Sequence, residues 1–186
     1  MIDRSQPFDI LDLGFYNPKG FLSGLAEIND NDWDKYTYRQ DNNVGIHSDT
    51  KTIPIMYDEK YGFNKGKKSV FYPIFEKDLI SLETHLKSIL GPLHIIRGVL
   101  VKLFAHKKVT PHFDSGPAMR LYDRIHFPII THPNVIFLCG ETKLNMEVGK
   151  GYIINNTGKL HGVDNNSDVD RIHLIVDVHY VKEGVI

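Results

Sequence analysis

The spacing of hydrophobic residues in the first half of the chain predicts two helices. Asn17-Pro18 marks the start of the first, because an Asx cap followed by proline at the first helical position is a common helix start. The second helix is expected at Phe75–Leu90, where Gly91-Pro92 ends it. Apolar residues at helical spacing support both: Phe21, Leu22, Leu25 and Ile28 in the first, and Leu79, Leu82, Leu86 and Ile89 in the second.

Elsewhere, short apolar or alternating runs lie between turn residues, a pattern that predicts strands. Asp58–Ser69 is predicted to be a loop, either an ordinary surface loop or a lid over a substrate. Many short strands at even spacing indicate a sandwich or barrel, with the two helices covering one face. The expected strands are Trp33–Arg39, Val44–Tyr57 (broken at Pro54), His94–Ala105, Arg124–Thr131, Val135–Leu138, Thr142–Glu147, Tyr152–Asn155 and Asp170–Tyr180.

The composition indicates one globular domain of 186 residues, with a helix-containing part over 1–92 and a core barrel over 93–181. A net charge of −1 gives no support for binding to nucleic acid or to an anionic membrane. No apolar run is long enough to span a membrane, and no signal-peptide pattern is evident. A single cysteine rules out an internal disulfide, and we expect a cytoplasmic protein. The ten histidines are the unusual feature.

Two histidines are followed two residues later by an aspartate, in His47-Ser48-Asp49 and His112-Phe113-Asp114. A His-x-Asp pair is common by chance, so its position decides its interpretation. The second pair lies among the C-terminal strands and turns, where side chains at i and i+2 point to the same face and converge on one ion. We therefore predict that His112 and Asp114 are metal ligands. His47 and Asp49 are expected to be ordinary polar strand positions, near a substrate entrance at most.

The last strand carries a second signal, because its two faces differ. Ile172, Leu174, Val176 and Val178 form one apolar face, which places Arg171, His173, Ile175 and Asp177 on the other. A buried guanidinium requires an anionic partner. That partner is either a dicarboxylate co-substrate, held by the planar fork, or a protein carboxylate such as Asp177 or Asp114.

Two further polar residues share the inner face of an earlier strand. Arg124 and His126 alternate with Ile125 and Phe127, which indicates either an anion-binding interior or structural hydrogen bonding. Together with His161, the His112–Asp114 pair makes a set of two imidazoles and one carboxylate. This set suits non-haem Fe(II) with open positions for a chelating co-substrate and O₂.

These motifs together resemble the aspartyl/asparaginyl beta-hydroxylase family, within the Fe(II)/2-oxoglutarate-dependent dioxygenases. The resemblance covers roughly Gly98–Tyr180. It implies that His112 and His161 bind iron, that Arg171 binds the distal carboxylate of 2-oxoglutarate, and that His126, helped by Arg124, contacts the metal-proximal carboxylate. Some animal members have glycine in place of Asp114, whereas here the triad is complete, as in bacterial hydroxylases of free amino acids.

We therefore expect a mainly β protein with flanking helices, folded as a double-stranded β-helix (a jelly-roll, cupin-like barrel). The expected activity is that of a dioxygenase using Fe(II), 2-oxoglutarate and O₂ to hydroxylate an amino acid or an aspartyl/asparaginyl-type residue. Its partners would be a small amino acid or a peptide or protein substrate, with no nucleic acid and no membrane. The alternative is a non-oxidative, cupin-like metal-binding or ligand-binding barrel.

Overall fold

A computed structural model describes residues 8–42, 45–57, 66–115 and 118–181 of the chain. Over these ranges the protein is built mainly from antiparallel strands, with few helices. The α-helices are α1 (Lys19–Leu25), α2 (Tyr38–Asn42) and α3 (Tyr72–Leu90). The strands are β1 (Ile10–Phe15), β2 (Thr50–Tyr57), β3 (Lys67–Lys68), β4 (Leu93–Leu103), β5 (Lys108–His112), β6 (Asp123–Ile130), β7 (Val135–Cys139), β8 (Thr142–Leu144), β9 (Lys150–Ile154), β10 (His161–Asn165) and β11 (Arg171–Tyr180).

The strands form two antiparallel sheets. The larger sheet has the order β1-β9-β6-β11-β4-β2-β3, and the smaller has the order β5-β10-β7-β8. Strand β11 is central, since it pairs with β4 on one side and with β6 on the other along most of its length. The N-terminal part of the chain supplies three strands of this sheet as well as the helices, so both parts of the sequence contribute to the larger sheet.

The two faces of the larger sheet are buried against different partners. On one face, apolar residues of β11 such as Leu174 and Val176 pack in the same cluster as Leu82 and Leu86 of α3. On the other face, Leu103 and its neighbours pack with residues of the smaller sheet, including Phe137. The alternation predicted for β11 therefore holds, and it directs Arg171, His173 and Asp177 into the space between the sheets.

Several sequence predictions fail for local reasons. The strand expected at Trp33–Arg39 is wrong, because a 3₁₀ helix at Asp30–Asp34 and α2 occupy this region. A capping box between Asn29 and Asp32 begins the 3₁₀ helix, and Trp33 is buried there. His47 and Asp49 lie in a turn before β2 rather than in a strand.

Other segments deviate in smaller ways. Pro54 does not break β2, because a register shift after it accommodates the missing donor. Most of the predicted loop, residues 58–65, lies outside the described residues, and Lys67–Lys68 form β3. Strands β1, β5 and β10 were not predicted. Within the described ranges no helix is long and apolar enough to cross a membrane.

One stability prediction follows from the orientation of α3. Leu82 is fully buried, whereas Ile89, which the sequence placed on the same stripe, is 43% exposed, and Leu90 is buried instead. Leu82→Ala should lower the free energy of unfolding by about 2–5 kcal/mol. Ile89→Ala should change it by no more than about 0.5 kcal/mol. Urea denaturation measures both, and equal losses would contradict the orientation.

Candidate functional site

Two antiparallel strands of the smaller sheet bring His112 and His161 together. His112 is the last residue of β5 and His161 the first residue of β10, and the two are direct partners in the register. Their ring centroids are 4.4 Å apart. Asp114 follows two residues after β5, with carboxylate oxygens 3.7 Å from Nε2 of His112 and 3.8 Å from Nε2 of His161. One ligand atom from each residue lies within 4.8 Å of the others, as an ion between them requires.

The surrounding residues hold these side chains in an orientation suited to a metal. Nδ1 of His112 lies 2.8 Å from the carbonyl oxygen of Thr110, so it donates there and Nε2 is left as the ligand atom. Asn156 donates its side-chain amide to Asp114 at 2.7 Å and accepts the Asp114 backbone N–H at 2.9 Å. Arg124 donates to the same carboxylate oxygen.

The protonation states also fit a cation. Burial alone would raise the pKa of Asp114, but the charge of the Arg124 guanidinium and the hydrogen bond from Asn156 hold it well below its usual range. Burial lowers the pKa of His161 to about 4, although Asp114 opposes the shift. An ionised carboxylate beside a neutral imidazole is the form in which these groups bind a divalent metal. The donor set therefore fits Fe(II) or a similar ion.

Behind this cluster, Arg171 is buried, with 3% of its surface exposed. Its Nη2 lies 2.5 Å from Nδ1 of His173, and its Nε is buried with no hydrogen-bond partner. Among the residues that the structure describes, no carboxylate pairs with this guanidinium. Asp177 is too far along the same strand, since six residues span roughly 20 Å. Burial lowers the pKa of Arg171 to about 9, so the group stays charged at neutral pH.

The hydrogen bond to Arg171 determines the tautomer of His173. A guanidinium only donates, so Nδ1 of His173 accepts and Nε2 carries the proton. That Nε2 is buried without a partner in the described chain, as is Nδ1 of the neighbouring His126. Burial, and then the positive charge of Arg171, hold the pKa of both imidazoles well below their usual range. Unsatisfied polar groups around a buried cation fit a carboxylate ligand.

Three charged side chains lie side by side across the larger sheet. Asp177 of β11 is the direct register partner of Arg97 in β4 and of Arg124 in β6. Arg124 bonds the Asp177 carboxylate through Nε at 2.8 Å and Nη2 at 3.1 Å, and Arg97 donates to it as well. Arg124 was predicted to help bind a co-substrate carboxylate. In the structure its guanidinium bonds Asp114 and Asp177. These contacts do not test its role in binding a co-substrate, which stays a prediction.

Sequence reasoning missed several residues that surround the cluster. His47 was placed at the entrance at most, but its buried ring lies edge-on to His112, with centroids 5.2 Å apart. Asp49 lies away from the cluster and pairs with Lys107 at 3.7 Å. Arg97 carried the same signal as Arg171, a lone charge in an apolar strand, and could have been found by it. Asn156 carried no comparable signal, and neither did Arg39 of α2, which lines the cavity beside the triad.

Comparison with known proteins agrees with this architecture. The sequence model of the family described as Aspartyl/Asparaginyl beta-hydroxylase matches residues 82–180, slightly more than half of the chain. No curated protein matches the sequence significantly.

Solved structures with a similar fold are distant in sequence. HygX from Streptomyces hygroscopicus, with nickel and 2-oxoglutarate bound, has a TM-score of 0.60 and 13% identity over 97% of this chain and 88% of its own. An oxidoreductase of the 2OG-Fe(II) oxygenase family from Burkholderia pseudomallei has a TM-score of 0.57 and 15% identity over 72% and 69%. The viral collagen prolyl hydroxylase of Paramecium Bursaria Chlorella virus-1 has 0.51 and 9% over 93% and 96%. These likenesses confirm the predicted double-stranded β-helix fold.

Proposed function

Because the chain belongs to the aspartyl/asparaginyl beta-hydroxylase family, we propose that it is an Fe(II)- and 2-oxoglutarate-dependent dioxygenase. Its substrate would be an amino acid or an aspartyl/asparaginyl-type residue. One observation carries the proposal: a triad suited to Fe(II) lies next to a buried arginine with no carboxylate partner in the described chain. A non-oxidative binding barrel could use the triad, but it has no need for such a buried cation.

His112, Asp114 and His161 would hold Fe(II), leaving the remaining positions open. When bound, Fe(II) and 2-oxoglutarate supply the O₂ activation that inserts one oxygen atom into a substrate C–H bond and converts 2-oxoglutarate to succinate and CO₂. The protein contributes the orientation of its ligands. Asn156 and Arg124 keep the Asp114 carboxylate in place, and Thr110 keeps the ring of His112 in place.

Arg171 would bind the far carboxylate of 2-oxoglutarate, with His126 beside it. Both residues line one cavity with His112, Asp114 and His161, so a carboxylate bound to Arg171 would belong to a molecule in the same space as the triad. Apolar side chains complete the wall: Val101, Val109, Phe137, Val163 and Ile175. Such a wall excludes water and strengthens the ion pair. The bound nickel and 2-oxoglutarate in HygX support the proposal, since HygX shares this fold.

The test follows succinate. Purified protein incubated with Fe(II), 2-oxoglutarate and a panel of free amino acids and short peptides should form succinate under air, and removing any one of Fe(II), 2-oxoglutarate or O₂ should stop it. His94→Ala serves as the control for replacements of the triad histidines, because His94 is exposed on β4 and pairs with Glu83. The control should retain the wild-type rate. Absence of succinate under all conditions, in a protein that still binds metal, would favour the binding barrel.

A further inference from the structure

Asp177 is a buried carboxylate near the triad to which the proposed function gives no role. It is 4% exposed and lies in β11, the middle strand of the larger sheet, which β4 and β6 flank on both sides. A carboxylate buried in this way needs cationic partners. Arg97 and Arg124, its direct register partners in the two neighbouring strands, both form ion pairs with it.

The contact with Arg124 involves one edge of the guanidinium. Nε and Nη2 of Arg124 lie 2.8 and 3.1 Å from the two carboxylate oxygens of Asp177. Two such hydrogen bonds to one carboxylate determine the orientation of the planar fork as well as its position. The third nitrogen, Nη1, then points towards Asp114 and donates to its carboxylate.

This contact restricts a side chain that would otherwise be free to move. An arginine has several rotatable bonds, so a single hydrogen bond to Asp114 would leave its guanidinium many orientations. Asp177 has a short side chain, and its strand is paired on both sides along most of its length. Arg97 donates to the same carboxylate from β4 and limits its rotation. Arg124 is therefore held by a group that is itself fixed.

The orientation of Arg124 determines which oxygen of Asp114 is left for an ion. Arg124 and Asn156 both donate to Oδ2 of Asp114, Asn156 at 2.7 Å. Within the described ranges Oδ1 accepts no hydrogen bond, and it lies 3.7 Å from Nε2 of His112. A carboxylate that is held through one oxygen presents the other to a metal, and loss of such an orienting contact lowers metal affinity.

We propose that Asp177 is a positioning residue for the metal site. It fixes the guanidinium of Arg124, which in turn fixes the carboxylate of Asp114 that binds the ion. This inference rests on the proposed function and adds a residue to its metal site. Asp177 lies outside the group of ligand atoms that converge on one point, so it acts on the metal either through Arg124 or by its charge alone. These two routes give different results in an experiment.

The experiment measures the dissociation constant of Ni(II) by calorimetric titration, without co-substrate and without turnover. Asp177→Asn should lower the affinity for Ni(II) about tenfold, because an amide nitrogen cannot accept the second hydrogen bond from Arg124. Asp177→Glu keeps the charge but displaces the carboxylate by one methylene, and should lower the affinity at least about threefold. If Asp177 acted by its charge alone, Asp177→Glu would bind Ni(II) as tightly as the wild type.

A double-mutant cycle shows whether the effect passes through Arg124. Arg124→Gln alone should lower the affinity for Ni(II) about tenfold, since it removes the guanidinium that donates to Asp114. Adding Asp177→Asn to this variant should change the affinity by no more than about twofold, because the group that Asp177 holds is already absent. Independent effects would instead multiply to a loss of about a hundredfold.

Two controls separate this effect from a loss of stability and from a general loss of negative charge. Leu82→Ala destabilises the core on the α3 side of the larger sheet, and Asp164→Asn removes an exposed carboxylate of β10. At a temperature where each variant is folded, both should bind Ni(II) as tightly as the wild type. If Asp177→Asn does not fold, Asp177→Glu takes its place in the cycle, where its loss of affinity should disappear in the Arg124→Gln background.

A loss of affinity that disappears without Arg124, together with unchanged controls, supports the inference. Wild-type affinity in the Asp177 variants overturns it and leaves the proposed function standing, and so does a loss that persists in the Arg124→Gln background. A similar loss in either control overturns it as well, because the effect is then not specific to Asp177. If the wild-type protein does not bind Ni(II), the triad is not a metal site, and the proposed function fails together with this inference.

Discussion

His161→Ala should abolish 2-oxoglutarate turnover and remove the stabilisation that a divalent metal gives to the wild-type protein. The imidazole is one of three groups whose ligand atoms converge within 4.8 Å, and alanine offers no replacement donor. Replacing a residue that only orients a metal ligand lowers metal affinity or activity by about 10- to 100-fold. Loss of a ligand itself should therefore lower succinate formation by at least about 100-fold. A ligand that binds only the folded state raises its stability by mass action. The melting temperature should therefore rise with Ni(II) in the wild type and not in the variant.

The control for this prediction removes one histidine as well, but away from the triad. His94→Ala removes an exposed imidazole that pairs with Glu83 and should retain both succinate formation and the Ni(II)-dependent rise. If His161→Ala keeps the metal response, the triad is not the metal site. If it loses the metal response while unfolding without metal at the same temperature as the wild type, the loss is one of coordination and not of folding.

The face of each inner strand could be predicted from sequence because side chains alternate with a period of two. In β11 this rule placed Arg171 and Asp177 on the buried side opposite Leu174 and Val176, and the structure places them there. The same rule oriented Arg124 and His126 in β6. This signal is strong because the larger sheet is buried on both faces. A charged side chain in one of its apolar strands is therefore buried and needs a partner there.

Contacts between strands could not be predicted in the same way. The pairing of His112 with His161 depends on the register of β5 against β10, and neither short strand shows a clear pattern. The partner of Asp177 was also hidden, because Arg97 and Arg124 meet it across three adjacent strands far apart in sequence. Alternation gives the face of a residue, but the neighbour on that face depends on the sheet order.

Polar residues that hold others in place were the hardest to find. Asn156 orients Asp114 from a turn after β9, and Asn165 ties β10 to Leu103, Phe104 and Val169 through its side-chain amide. Asparagine is typical of turns, so these positions look ordinary in sequence. The same limit applies to His47, which was expected to be an ordinary polar strand position but whose buried ring packs edge-on against His112.

Arg171→Met should have opposite effects on the unliganded and the liganded protein. The guanidinium is buried, and its only hydrogen bond to the described chain is to His173. Removing a buried charge without a carboxylate partner should raise the free energy of unfolding by about 1–3 kcal/mol. The same change should weaken 2-oxoglutarate binding by about 2–5 kcal/mol, roughly 30- to 4,000-fold, because it leaves a buried carboxylate uncompensated.

The change in stability and the change in affinity can be measured on one set of samples. Urea denaturation of the metal-free protein gives the first, and calorimetric titration of 2-oxoglutarate into the Ni(II)-loaded protein gives the second, independently of turnover. Arg171→Lys keeps the positive charge but loses the planar guanidinium fork, so its affinity for 2-oxoglutarate should lie between those of the wild type and of Arg171→Met. Lys143→Met, a matched change at an exposed position, should alter neither quantity. If Arg171→Met lowers the free energy of unfolding and leaves the affinity for 2-oxoglutarate unchanged, the arginine serves the fold, because removing a structural cation leaves its partner in the protein unpaired. Stabilisation together with lost affinity is expected only of a charge that is kept buried for a ligand.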